Sequence, residues 1–273
     1  MEFLNPIMEA LNGKMEIPSL FGWFHILWLA LTIGAAIALS IWQRKQEKEH
    51  QRTVLLVTTM IVIVLEIYKQ LIYSYHVDWS YQWYAFPLQF CSTPMYVGLL
   101  AALTRKGSKV HESACAYMAS FSLFAGTAVM IYPGDVFIDV IGINIQTMVC
   151  HGSMIFLAVY LMATGYVKMS YKTVLKAVPI FAIFLLLAMG MNEWAYQSGL
   201  LENHNFNMFY ISPYVTGTLP VYSNVQAVIP YPWSLVIYIV GFTVLAYVMQ
   251  LLGMLVRLIG RLFSKKAPAE QNA

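Results

Sequence analysis

Glu66, Lys69, Cys91 and His151 lie inside apolar stretches of this chain and carry groups able to do chemistry. A cysteine beside a histidine is a nucleophile in waiting. The imidazole takes the thiol proton, and the thiolate attacks an acyl carbon. Glu66 and Lys69 stand three residues apart, which puts them on one face of a helix, able to pair. In lipid a carboxylate or an ammonium is costly, so each needs such a partner. The plain role for this couple is a structural ion pair; the sharper one is to tune a reactive site. Cys91 and His151 also have plain roles, as a small buried thiol and as a histidine bonded across helices.

These residues must be positioned by membrane-spanning helices. A span needs about 20 mostly apolar residues. The sequence predicts seven, over about 21–42, 53–75, 85–103, 113–132, 143–167, 173–194 and 231–254. Along them, Glu66 falls roughly 13 Å, Lys69 roughly 9 Å, Cys91 roughly 9 Å and His151 roughly 12 Å below the outer surface, at about 1.5 Å per residue. Gln89 sits one notch above Cys91, and Asn144 two turns above His151 on the same face. His25 lies near the outer end of the first span, and Asn192 and Glu193 close the sixth. The polar groups thus share one layer in the outer half of the membrane. Cys91 and His151 are the Cys/His pair at matching depth, with Gln89 or Asn144 as candidate oxyanion donors. Cys150 points about 100° away from His151. It reads as packing, as does Cys115. His50 and His111 fall in basic links and are expected to be solvated.

The orientation comes from charge. Arg44, Lys45, Lys48 and Arg52 fill the first gap between spans. Arg105, Lys106 and Lys109 fill the third, and Lys168, Lys172 and Lys176 fill or border the fifth. Arg257, Arg261, Lys265 and Lys266 make a tail over 255–273. Basic residues mark cytoplasmic loops, so the expected topology has its N-terminus outside and its C-terminus in the cytoplasm. Residues 1–20 read as an outer lead, with room for a small amphipathic helix. The segment 195–230 lacks Lys and Arg yet holds Phe206, Met208, Phe209, Tyr210, Ile211 and Tyr214. So apolar a stretch is expected to fold back on the outer mouth as a lid.

Composition narrows the classes. Hydrophobic residues make up 59% and charged residues 11%, against roughly 25% charged in soluble domains. The net charge of +3 belongs to topology and anionic lipid, not to nucleic acid. The cysteines Cys91, Cys115 and Cys150 lie in apolar spans and make no disulfide framework. No cleavable signal peptide, internal repeat or soluble domain is expected. No HExxH, CxxC or clustered His/Asp pattern points to a metal, and no glycine-rich loop points to a nucleotide. No cofactor is expected; the expected partner is membrane lipid.

The segment Phe86-Pro87-Leu88-Gln89-Phe90-Cys91 resembles the P-L-x-x-C signature of YwaF-type bacterial integral membrane proteins. Glu66 and Lys69, His151-Gly152, and the stretch Asn205 to Pro213, with Asn207 and Tyr210, resemble the same pattern in the same order over most of residues 20–255. A eukaryotic branch of that superfamily is regarded as a cysteine-dependent phospholipid acyltransferase. The resemblance therefore implies Cys91 as acyl-accepting nucleophile and His151 as base or acid, acting on phospholipid. Where the bacterial pattern often has a histidine two residues before the cysteine, this chain has Gln89, so a mechanism using that imidazole does not carry over. Fold likeness alone does not transfer chemistry.

Two classes of function follow. One is a lipid acyltransferase, or a hydrolase with water as acceptor, using Cys91 and His151 with Glu66, Lys69, Gln89, Asn144, His25, Asn207 and Tyr210 about the pocket. The other is a transporter or receptor with a polar pocket open to the outside. A retinal protein would need a lysine in the last span, which has none. Matching halves, the mark of many transporters, are not apparent. A structural or chaperone-like membrane partner is a third class.

Overall fold

The computed structural model describes residues 2–47, 49–199 and 206–264. The Lys48 charge, residues 200–205 of the lid segment and the tail from Lys265 lie outside them. The described chain is helical and has no β-strand; one isolated bridge joins Lys14 to Val140. Six helices are long and apolar enough to cross a membrane: Trp23–Arg44, Gln51–Tyr75, Lys109–Ile131, Ile141–Ala163, Tyr171–Gln197 and Trp233–Leu255. This is a multi-pass membrane protein.

The elements are α1 (Asn5–Leu11), α2 (Trp23–Arg44), α3 (Gln51–Tyr75), α4 (Thr93–Leu103), α5 (Lys109–Tyr117), α6 (Leu123–Ile131), α7 (Ile141–Ala163), α8 (Tyr171–Gln197), α9 (Tyr222–Val228) and α10 (Trp233–Ser264). Most agree with the expected spans to within a few residues, and local chemistry explains the shifts. Ser108 accepts the His111 N–H and starts α5 before residue 113. Gly165, at φ +83°, follows the end of α7 at Ala163, four residues short of 167. α10 runs on to Ser264, ten residues past the expected end.

The expected third span differs most. Its regular part, Phe90–Leu103, is a short apolar helix, about 21 Å long against a hydrocarbon core of about 30 Å. Pro87 holds Phe86 extended (φ −49°, ψ 134°), and Pro94 opens α4. The remaining outer length is irregular chain. Unpaired backbone is not tolerated at membrane depth, so each freed group needs a partner. Gln70 donates to the Ala85 carbonyl at 2.7 Å, Tyr96 to that of Pro87 at 2.8 Å, and the Cys150 thiol to that of Cys91 at 3.4 Å.

A second irregularity links α5 to α6. Met118–Ser122 form a wide π-helical turn, fully buried, where α7, α8 and α10 meet. Gln250 of α10 donates to the Ala119 carbonyl within it, the kind of side-chain compensation such a bulge requires.

The basic gaps meet at one end of the bundle. Arg44 donates to the Ala163 carbonyl at 2.7 Å, Lys106 pairs with Glu49, and the Lys106 ammonium lies 5.0 Å from the centre of the Tyr166 ring. At the opposite end the lead folds over the helix termini. Tyr68 donates to the Leu11 carbonyl, Trp79 to Asn5, and Lys14 pairs with Asp139.

His76 Nε2 lies 2.8 Å from Asn12 Oδ1. Partial burial, then the Lys14 charge, hold its pKa below the usual histidine value. The unfolded chain therefore takes up the proton more readily, so the stability that goes with keeping this imidazole neutral is complete above about pH 6.5 and is lost as pH falls toward the folded pKa. Protease cleavage of the lead is expected to be faster at about pH 5.5 than at about pH 7.5. Equal rates, or a His76→Gln variant with the same pH dependence, would remove His76 from the account.

Candidate functional site

Lys69 and Glu66 form an ion pair at 2.8 Å, with side chains 16% and 7% exposed. Glu66 also accepts from Gln70 at 2.7 Å and from Gln146 of α7 at 3.3 Å. The carboxylate thus has three donors, while the Lys69 ammonium has Glu66 as its acidic partner. Lys69 is close enough to Cys91, Cys150 and His151 to act on each electrostatically.

Cys91 sits in the turn Phe90–Ser92 at the head of α4 and is partly exposed. Its neighbour Phe90 anchors the turn, packing on Phe209 at 5.2 Å and on Phe242 at 5.1 Å. On α7, Cys150 is buried against Val62 and Met95, with its thiol on the Cys91 carbonyl. The next residue is His151. Its Nδ1 lies 2.7 Å from the Thr147 carbonyl, so the partner assigns the proton to Nδ1 and leaves Nε2 as an acceptor. No hydrogen bond joins Cys91 Sγ to His151 among the described residues. The helix bearing His151 is thus held against Cys91, with thiol and imidazole not in direct contact. Gly126 of α6 packs on the His151 carbonyl, where a Cβ would come within 2.8 Å. Any larger residue there would push α6 off this wall.

The other residues picked from the sequence divide. Gln89 and Asn207 are brought together, but as a clamp. Gln89 donates to the Asn207 carbonyl and accepts from Phe209 N–H, both at 2.9 Å. Asn192 does the same to Met208, at 3.0 and 2.7 Å. Asn207 uses its own amide on Val215 and Ser212. Two amides thus grip successive residues of one tight 3₁₀ turn, Met208–Tyr210, whose Met208 and Phe209 are fully buried. Phe209 and Tyr210 adopt left-handed φ values of 58° and 59°, uncommon for bulky residues. Tyr210 comes near enough to Cys91 and Lys69 to interact with both. Asn144 is committed to Ile138, accepting from its N–H at 2.9 Å and donating to its carbonyl at 2.7 Å. His25 accepts from Phe21 N–H and donates to the Met130 carbonyl, tying α2 to α6. Gln89, Asn144 and His25 are therefore engaged in holding backbone.

Replacing Asn192 with Ala would leave the Met208 N–H buried and unpaired, a loss of about 1–3 kcal/mol, and its carbonyl with the long Ile211 N–H contact alone. Amide exchange across 206–212 is expected to quicken. Exchange as slow as in the parent would show that the clamp does not hold the segment.

Sequence reasoning missed a cluster of tyrosines. Tyr73, Tyr81 and Tyr96 lie in the field of both Glu66 and Lys69, and Tyr84 in that of Lys69. Tyr73 stacks on Tyr84 at 6.2 Å. The density of tyrosine between 73 and 96 was the available signal. A cavity of about 440 Å³ opens at the same end, lined by Met189, Asn192, Glu193, Ile211, Tyr214 and Tyr231, with Cys91 not among its walls. No group of three His, Cys, Asp or Glu side chains able to hold a metal occurs among the described residues.

The sequence matches the TMEM164 family over residues 20–250. The chain belongs to the TMEM164 family. That span takes in every element from α2 to α9 and most of α10, and with them Cys91, His151 and the clamped segment of this TMEM164-family protein. No curated protein and no solved structure matches it.

Proposed function

We propose that this membrane protein is a cysteine-dependent acyltransferase acting on phospholipid. In this reading the Phe90–Leu103 helix and its irregular head complete a seventh crossing. The N-terminus then lies outside, the basic end in the cytoplasm, and residues 206–230 act as the outer lid. The observation that carries the reading is the setting of Cys91. It lies in the irregular head of a broken crossing packed on α3, which carries the Lys69–Glu66 pair, with the helix of His151 against its carbonyl.

His151 Nε2 takes the Cys91 proton, and the thiolate attacks the ester carbonyl of a lipid. The carbon–sulfur bond forms and the carbon–oxygen bond breaks. His151 returns the proton to the departing alkoxide, and a second lipid alcohol reverses the steps. Lys69 stabilises the thiolate and the oxyanion. The gap between thiol and imidazole closes in the complex, since catalytic hydrogen bonds are often long in the free protein. With water as acceptor the same steps give a hydrolase.

The test is intact-mass measurement after incubation with a phospholipid bearing a tagged acyl chain. An acyl adduct on Cys91, released by hydroxylamine, is the expected result; none on Cys91 would defeat the reading. The broken crossing also favours a second reading, since discontinuous spans carry the binding sites of transporters. Ligand uptake that persists in Cys91→Ala would select it.

A further inference from the structure

At the basic end, away from Cys91, a cavity of about 380 Å³ lies between α5, the 165–170 link and the start of α8. We propose that it binds a phosphate-bearing anion, and that its source is the headgroup of an anionic phospholipid.

Lys168, Lys172 and Lys176 line it, against the single carboxylate of Glu112. Lys176 holds Glu112 at 2.6 Å. Among the described residues Lys168 and Lys172 have no acidic partner. Two ammonium charges therefore face a cavity with nothing to neutralise them. Ser170 adds a hydroxyl, Thr173 giving its own to the Lys168 carbonyl, and no side chain caps α8, whose Tyr171 and Lys172 amides remain for an anion.

The inner wall is self-satisfied. His111 Nδ1 lies 3.0 Å from the Ala101 carbonyl, and its Nε2 faces Gln51 at 3.3 Å and Cys115 at 3.6 Å. Contrary to the solvated role expected for it, His111 is buried. That wall offers shape rather than charge, so anion recognition falls to the lysine rim.

Size and surroundings select the source. The volume falls within the range of small-ligand pockets, about 300–1,000 Å³, and leaves room for a substituted phosphate. From the cavity α8 continues with Tyr171 and Leu175 exposed. That apolar face is where the acyl chains of a lipid seated by its headgroup would lie.

The test compares retention of phosphatidylglycerol and phosphatidylcholine by the purified full chain, read by native mass spectrometry. Lys168→Ala/Lys172→Ala is expected to weaken phosphatidylglycerol retention on the order of tenfold to thirtyfold, at roughly the strength of two lysines beside a charged lipid surface. Lys45→Ala/Arg52→Ala, at the same end but outside the cavity, serves as control and is expected to change retention less than about twofold. Equal losses in the two variants would mean diffuse surface charge and overturn the site, as would no loss in the first. A third arm adds inorganic phosphate and glycerol phosphate. Binding of these at the lysine rim without lipid retention would keep the phosphate site and reject the lipid source. Binding of neither class would overturn the proposal.

Discussion

Glu66→Gln is expected to destabilise the protein more than Lys69→Met, although both break the same ion pair. Removing one member of a buried pair costs about 3–5 kcal/mol, a fall in melting temperature on the order of 10 °C for a chain of this size. The asymmetry comes from what remains. Without Lys69, the Glu66 carboxylate keeps the amide donors of Gln70 and Gln146. Without the Glu66 charge, the Lys69 ammonium is left with no acidic partner among the described residues. The double variant is expected to lose less than the sum of the singles, the mark of a coupled pair. Thermal unfolding in detergent reads all three. If both singles melt with the parent, the pair contributes nothing to stability. If Lys69→Met is the worse, Gln70 and Gln146 do not hold the carboxylate.

The fold was legible where one physical rule dominated. Long apolar runs and alternating basic gaps gave six long helices and the clustering of Arg44, Lys106 and the 163–168 link at one end. The rule failed at 85–92, where hydropathy alone reads as span. Two prolines act against helix there: Pro87, which lacks an N–H and holds Phe86 extended, and Pro94, which starts a helix better than it continues one. A π-helical turn such as Met118–Ser122 leaves no comparable trace, because the group that satisfies its backbone, the Gln250 amide, comes from a distant helix.

The site was legible in part for the same reason. Depth along a helix is read from residue number, so Glu66, Lys69, Cys91 and His151 could be placed in one layer. Rotation and partners could not. Gln89 and Asn144 looked like free donors because the backbone groups they bind, at 207–209 and at 138, come from segments with no periodicity. His111 looked solvated because its link is basic, yet the carbonyl of Ala101 and the amide of Gln51 draw it inward. The two cysteine–histidine arrangements invert expectation. Cys115 and His111 are in hydrogen-bond range on one helix, four residues apart, while the helix of His151 touches Cys91 through the Cys150 thiol on the Cys91 carbonyl.

The largest expected effect belongs to Cys91 and His151. In the acyl-transfer reading Cys91→Ala removes the sulfur that carries the acyl group, so transfer falls to background. His151→Ala removes the base and the proton relay, a loss on the order of 10²–10⁴ in rate. The double variant is expected to be no worse than Cys91→Ala alone, because groups that act as one unit fail together. Lys69→Met keeps nucleophile and base but takes away the cation beside them, and its loss is expected to fall short of either. Acyl transfer between labelled phospholipids, with melting temperature followed in parallel, separates chemistry from folding. His151→Ala with activity within a few-fold of the parent would make His151 a wall of the bundle, fixed by Thr147 and packed by Gly126. An acyl adduct on Cys91 that formed in that variant but never turned over would instead leave His151 the second half of the reaction alone.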